Sequence, residues 1–299
     1  MEKDSSLRGR GDKIFQIICY VVLGIMALCA ILPFIMLLAS SFTDNDALRI
    51  NGYGFWPSVF SSYAYEYMFK GNAAQILRSY GITFFITIVG TVISLLIGPM
   101  LAYTMSRKDY KRAKLLTVFV FFTMLFNGGV VPSYMMWTQI FNIKNTIWAL
   151  IFPNLVMNGF YIMLYKNNFS SNIHPALIEA AKIDGASEFF IYRKIVLPLS
   201  LPILATVGLM TGLGYWNDWT NGIYYITEEN WYSLQVYLNS ILTNIQGMQT
   251  MGGAAAGGNF PGISIRMAMA VIGVVPIMVL YPFFQKYFVK GIAIGGVKE

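Results

Sequence analysis

The sequence predicts an all-α polytopic membrane protein, with six transmembrane helices and a polar helix-turn-helix segment on one side of the bilayer. Three observations lead there. Hydrophobic residues make up 56% of the 299 residues and charged ones only 12%, with a mean hydropathy of +0.57, more apolar than a soluble domain. Six charge-free stretches, at 14–41, 80–103, 115–134, 146–165, 195–217 and 267–285, meet the length of about 20 apolar residues that a hydrocarbon core requires. Basic residues also fall unevenly between the two sets of connecting loops.

Taken in order, residues 1–13 form a basic N-terminal tail, and the first stretch follows at 14–41. It is roughly twice as long as the apolar core of a signal peptide and has no small-residue cleavage pattern, so it reads as a retained span. Its two cysteines, Cys19 and Cys29, lie about 15 Å apart along a helix and cannot pair with each other. An outer segment, 43–79, carries Trp56-Pro57 and several tyrosines and is expected to lie along the membrane surface as docking area. Prolines stand in or beside every span, at Pro33, Pro99, Pro132, Pro153, Pro198 with Pro202, and Pro276 with Pro282, as kinks that neighbouring helices resatisfy. Gly208, Gly212 and Gly214 in the fifth stretch suit close helix packing or a hinge. A second outer segment, 218–264, precedes the last span, and residues 290–299 form a cytoplasmic C-terminal tail beyond the membrane unit at 14–289.

Orientation follows from the basic residues, which favour the cytoplasmic side of a span. With both termini inside, sixteen of the 21 Lys and Arg residues are cytoplasmic. Arg49, Lys70, Arg78, Lys144 and Arg266 remain outside, and 218–264 holds no Lys or Arg. The net charge of +7 is thus accounted for by topology and anionic inner-leaflet lipid, and nucleic acid is not an expected partner.

Covalent chemistry finds no residues to carry it. There is no GxxxxGK[ST] loop, and the single histidine, His174, stands before Pro175 with no cysteine or acidic cluster beside it, which gives no metal site and no catalytic triad. No span carries Asp, Glu, Lys, Arg or His in its interior, whereas ion-coupled carriers keep such groups there despite their cost. The chain is expected to be no enzyme, to bind no cofactor, and to be driven from outside itself.

The polar segment 167–196 is the place where such a drive would enter. Pro175 suits a first helical position, Gly185 after Asp184 suits a C-terminal cap at positive φ, and Ser187 suits the cap of a second helix. On a helical wheel Leu177, Ala180, Ala181 and Asp184 share one side, with Glu179 and Lys182 on the other. The second helix carries Phe189, Phe190, Ile191 and Tyr192, and Leu197-Pro198 with Pro202 marks re-entry into the membrane. Physics alone leaves two readings open: an amphipathic loop resting on lipid headgroups, or a docking element.

The spacing Glu179-Ala180-Ala181, Asp184-Gly185-Ala186, Ile195, Leu197-Pro198 and Pro202 resembles the EAA loop of bacterial ABC importer permeases. The resemblance extends to Asn127-Gly128-Gly129 with Pro132, Asn145-Thr146 with Trp148-Ala149-Leu150, Trp216-Asn217, and the ending from Gln285 to Gly291. These residues are similar to the carbohydrate-uptake branch, within it to the subgroup of complex oligosaccharides and polysaccharide fragments, relatives of the maltose-system inner permease. The resemblance implies a type I importer fold and a multi-pass location in the bacterial cytoplasmic membrane. It also implies a homologous second permease, two ATPase subunits that bind ATP and Mg, an extracytoplasmic solute-binding protein and a saccharide substrate. It makes Glu179, Ala180, Ala181, Asp184, Gly185 and Ala186 the helix that couples to the ATPase.

Two further sites are expected. Tyr215, Trp216 and Asn217 combine aromatic faces with an amide at the outer end of the fifth stretch and are candidates to line a sugar path, although an interfacial aromatic belt has the same composition. Gly252, Gly253, Gly257 and Gly258 belong to a small-residue tip in 218–264. By resemblance it reaches into the binding protein, and by composition it equally suits a plain disordered loop. The readings from other classes are a polytopic membrane enzyme, for which Asp218, Glu228 and Glu229 are the outer acids, and a secondary carrier.

Overall fold

A computed structural model describes residues 10–70, 72–153, 155–252 and 262–295. The described chain is helical apart from turns and one isolated bridge between Thr43 and Phe60. In order, the helices are α1 (Arg10–Ser41), α2 (Asn45–Asn51), α3 (Tyr63–Phe69), α4 (Ala73–Ser106), α5 (Ala113–Leu125), α6 (Val130–Met135), α7 (Trp148–Ile151), α8 (Gly159–Asn172) and α9 (Pro175–Ile183). They continue with α10 (Glu188–Ile191), α11 (Leu197–Leu199), α12 (Leu201–Trp216), α13 (Thr220–Tyr225), α14 (Leu234–Gly252) and α15 (Gly262–Gly295). Two π-helical turns, Met136–Ile140 and Tyr192–Val196, follow α6 and α10.

The six apolar stretches do not become six uninterrupted helices. Among the described residues three helices are long and apolar enough to span: Gly11–Ser41, Ala73–Ser106 and Gly262–Val279. Two more stretches are bent pairs, Ala113–Leu125 with Val130–Ile140 at 115° and Glu188–Leu199 with Leu201–Trp216 at 81°. The third stretch breaks at Asn127-Gly128-Gly129, where the Asn127 carboxamide accepts the Gly129 N–H at 2.9 Å and Gly129 takes φ +87°, a backbone setting in which glycine carries no Cβ penalty. The fourth divides into α7 and α8. Pro153 lies between them, and Asn158 caps α8 by accepting from Phe160 N and Tyr161 N.

The chain groups into two compact units, one comprising the residues up to Ala73 with Ile245–Val275, the other Ala74–Asn244 with the residues from Pro276. In the first unit, α1 buries none of its apolar window within the chain. The segment after it is folded: Asp44 caps α2, Phe42 stacks on Phe60 and Tyr65, and Tyr65 donates to Ser41 Oγ at 2.8 Å. The Asn45 carboxamide accepts the Ile263 N–H at the start of α15, 3.1 Å away.

The second unit is organised by α4. Its buried face carries Gly90, Ser94, Gly98 and Ala102, four small residues at four-residue spacing, which lets other side chains approach the backbone closely. Tyr215 of α12 lies where a Gly90 side chain would be, and Tyr165 of α8 lies 3.4 Å from the position of a Gly98 Cβ. Both tyrosines are among the largest fully buried side chains. Gly208 and Gly212 of α12 face Leu95 and Thr91 of α4, so the glycines of the fifth stretch serve helix packing.

Candidate functional site

The segment after α8 folds as two short capped helices. His174 Nδ1 accepts the Ala176 N–H at 3.3 Å, and Pro175 takes the first turn of α9, where its missing N–H leaves no bond unmade. At the other end Gly185 N donates to Lys182 O at 3.0 Å and Ala186 N to Ala181 O at 2.9 Å. This pair of bonds is the Schellman motif, which satisfies terminal carbonyls through a left-handed residue, and Gly185 supplies it at φ +78°. Ser187 Oγ then accepts from Phe190 N at 3.3 Å and caps α10. The expectations for Pro175, Gly185 and Ser187 are met in the geometry of their caps.

The faces of α9 divide differently from the wheel expected above. Ile178, Ala181 and Ala186 pack against a buried cluster that includes Ala102, Tyr103, Phe169, Ile173, Ile191 and Val196. Ala180, Asp184 and Gly185 stay exposed, as does Glu179, which borders a cleft of 310 Å³ shared with Tyr103 and Lys182. Ala181 therefore faces inward while Leu177, Ala180 and Asp184 face outward. The reason is the size of Ile178, which offers more apolar surface than either alanine and rotates the buried arc toward itself. Ile183 is 86% exposed and Phe189 62%, and Leu177 and Phe190 are exposed as well. Exposed apolar side chains on such a loop suit contact with a partner or with lipid headgroups.

A group of charges that the residue pattern had placed only by topology closes around this loop. Arg107, just beyond α4, grips Asp109 through two bonds, Nε to Oδ1 at 2.8 Å and Nη2 to Oδ2 at 2.6 Å. Lys182 Nζ reaches Asp109 Oδ2 at 2.6 Å and Glu188 Oε1 at 2.8 Å, and Arg107 Nη2 lies 3.4 Å from the same Glu188 oxygen. Tyr103 donates to Glu188 Oε2 at 2.6 Å and accepts from Arg107 Nη1 at 3.0 Å. The Arg107 and Lys182 hydrogen bonds hold the Asp109 carboxyl far below the ordinary carboxylate range. At Glu188, burial pushes upward, but the bonds from Lys182 and Tyr103 and the nearby cations outweigh it, and the net shift is downward. The signal available in the sequence was Asp109, the one acid among the five cations of 107–114.

The other expected site residues do not gather into one place. Tyr215 is buried, its hydroxyl donating to Ile151 O at 2.8 Å. Trp216 meets the Phe84 ring edge-on at 5.1 Å and borders an apolar groove of 540 Å³ between α4 and α12. Asn217 is exposed and its amide turns back to Leu213 O at 3.0 Å. Asp218 caps α13 through Oδ1, accepting from Thr220 N and Asn221 N. Gly252 ends α14, while Gly253, Gly257 and Gly258 lie outside the described residues.

Residues 90–294 match the family model described as binding-protein-dependent transport system inner membrane component. The chain is 36% identical over 288 residues to the polygalacturonan/rhamnogalacturonan transport system permease protein YtcP of Bacillus subtilis, covering 96% of this chain and 99% of that one. It is 29% identical over 277 residues to the arabinooligosaccharides transport system permease protein AraQ of Halalkalibacterium halodurans, covering 91% and 93%. Among solved structures, a bacterial ABC transporter involved in the import of the acidic polysaccharide alginate matches with a TM-score of 0.77 and 30% identity. That match covers 95% of this chain and all of the other.

Proposed function

The chain belongs to the family of binding-protein-dependent transport system inner membrane components, and from that membership we propose that it forms half of the translocation path of an ATP-driven importer of oligosaccharides or polysaccharide fragments. It is a membrane component, not an enzyme. A homologous second permease supplies the other half, an extracytoplasmic binding protein delivers the solute, and two ATPase subunits bind ATP and Mg on the inner side, where both termini of this chain also lie. The observation that carries this reading is the loop from Pro175 to Ile191. It is capped at both helix starts, turned at Gly185, and faces outward with Leu177, Ile183, Phe189 and Phe190 exposed.

In this reading Glu179, Ala180, Ala181, Asp184, Gly185 and Ala186 form the coupling element. Glu179, Ala180 and Asp184 meet the ATPase, while Ala181 and Ala186 seat the element on its own chain. ATP-driven closure of the ATPase pair draws the element inward and switches the spans between two states. Of the three path candidates Asn217 is the exposed one and is offered to solute, while Tyr215 and Trp216 are buried and shape the helix end behind it. The tip holding Gly252, Gly253, Gly257 and Gly258 is the binding-protein contact in this reading.

Fragments of polygalacturonan, rhamnogalacturonan and alginate form the first solute panel, because the name of one similar protein and the description of one similar structure carry those polymers. The test is purification from the native membrane. An ATPase that co-purifies, with ATP turnover stimulated by the binding protein loaded from that panel, supports the reading. Solute transport by this chain alone in liposomes refutes it.

A further inference from the structure

The apolar contact between the α9–α10 loop and the rest of its chain is made on α10 by the fully buried Ile191 and on and beside α9 by Ile178, Ala181 and Ala186. Apolar contact has no direction, so on α9 it does not fix how the helix is set along the end of α4. Four charges supply the direction. Arg107, Asp109, Lys182 and Glu188 form a closed ring in which each carboxylate lies between both cations.

Three features make this more than a surface ion pair. First, the ring joins the chain at three points: just beyond α4, on α9 before the Gly185 turn, and at the start of α10 after it. Second, it is rooted. The Arg107 side chain is only 9% exposed, doubly bonded to Asp109, and its guanidinium lies 5.6 Å over the Tyr103 ring. A two-bond arginine–carboxylate grip fixes geometry as well as distance. Third, Tyr103 belongs to α4 itself, is buried in the same cluster as Ile191 and Tyr192, and touches both Arg107 and Glu188.

We propose that the ring of Arg107, Asp109, Lys182 and Glu188 is a strut that carries displacement of the α9–α10 loop into the inner end of α4, which makes these four side chains positioning residues of the transport cycle. The inference rests on the reading that an ATPase engages α9. Lys182 and Glu188 straddle the turn, so the ring holds the two short helices as one body. Arg107 and Asp109 tie that body to the helix whose small-residue face receives Tyr165 and Tyr215. The pairs made by Lys182 are exposed, at 39% for its own side chain, and such pairs contribute little to stability, so losing them alters direction of movement and leaves the protein folded.

The test uses the whole importer in liposomes with Cys19 and Cys29 replaced by serine and spin labels at Ala176→Cys and Lys108→Cys, both exposed positions outside the ring. With Mg-ATP and vanadate, the distance between the labels is expected to hold constant in the parent and to shift or broaden in Lys182→Gln and Asp109→Asn. ATP hydrolysed per solute moved is expected to rise roughly three- to fivefold in these variants, the equilibrium factor of ion pairs at the upper end of their exposed range. Lys182→Arg, which keeps the charge, restores both readouts. The proposal is overturned if Lys182→Gln matches the parent in both, or if Lys182→Arg fails as badly as Lys182→Gln. Failure of an ATPase to co-purify with the parent instead overturns the reading beneath it.

Discussion

Replacing Gly185 separates backbone conformation from docking space at the tip of the proposed coupling element. A Cβ built at Gly185 meets nothing within 4 Å in this chain, and its φ is +78°. The internal penalty of any substitution is therefore conformational: about 1–2 kcal/mol for an ordinary residue in the left-handed region, more for a β-branched one, and less for Asn, which tolerates that region. A cost of that size lowers the population of the closed Schellman turn roughly 5- to 30-fold relative to its open form. If the backbone decides, function falls in the order Gly, Asn, Ala, Val. If space against the ATPase decides, Asn is worse than Ala because it is larger. The assay is solute-stimulated ATP turnover and uptake in liposomes containing matched amounts of assembled importer. Gly185→Asn behaving worse than Gly185→Ala, or Gly185→Ala behaving as the parent, refutes the conformational argument.

Further outcomes follow from the same contacts. Glu179→Lys reverses an exposed charge on α9 and is expected to weaken ATPase retention severalfold without changing membrane insertion; equal ATPase recovery on an affinity column counts against it. Gly90→Ala places a methyl in the Tyr215 ring and is expected to cost about 1–3 kcal/mol by overpacking. Gly24→Ala, with open space around it, is expected to leave thermal stability in detergent unchanged or raised, and equal melting of the two variants defeats the packing account. Because Asp109 and Glu188 are both shifted downward, their contribution is complete above the ordinary carboxylate range of about 4 and is lost only as pH falls below it. ATP hydrolysed per solute is thus expected to be flat between about pH 5.5 and 8, and a step near neutrality would rule the carboxylates out as its cause.

What the sequence disclosed depended on the range over which each cause acts. The turn at Gly185 and the caps at Pro175 and Ser187 are local chemistry, legible because a missing N–H, a missing Cβ and a short hydroxyl each act within a few residues. The apolar stretches were legible as membrane material, since hydropathy sums over a window. Their direction was not, because a window average treats Asn127-Gly128-Gly129 or Pro153 as brief interruptions while the backbone turns there. The ring was hidden for a different reason: Asp109 and Lys182 lie 73 residues apart, and charge in both loops already had an explanation in membrane orientation. The ridge from Gly90 to Ala102 is a four-residue repeat of small side chains inside an apolar run, and only the approach of Tyr165 and Tyr215 distinguishes it from lipid-facing surface. Tyr215, singled out for its aromatic face, instead bonds the Ile151 carbonyl from a fully buried position.

Two routes lead from the α9–α10 loop into the membrane, and they differ as levers. The covalent route runs through α10, the π-helical turn Tyr192–Val196 and α11, then turns 81° at Ser200 before α12 begins. A push along it must pass a widened helical turn and a corner, both places where helices bend. The ring route crosses from Lys182 and Glu188 to Arg107 and Tyr103 and enters α4, a helix of 34 residues with one internal proline, Pro99. Along that helix lie Gly98, against Tyr165 of α8, and Gly90, against Tyr215 of α12. Because close-packed interiors transmit displacement instead of absorbing it, movement delivered to the inner end of α4 reaches α8 and α12 through their two buried tyrosines. The six apolar stretches carry no charge in their interiors on which an ion gradient could act, and the ring sets charges where the end of α4 meets the proposed coupling loop.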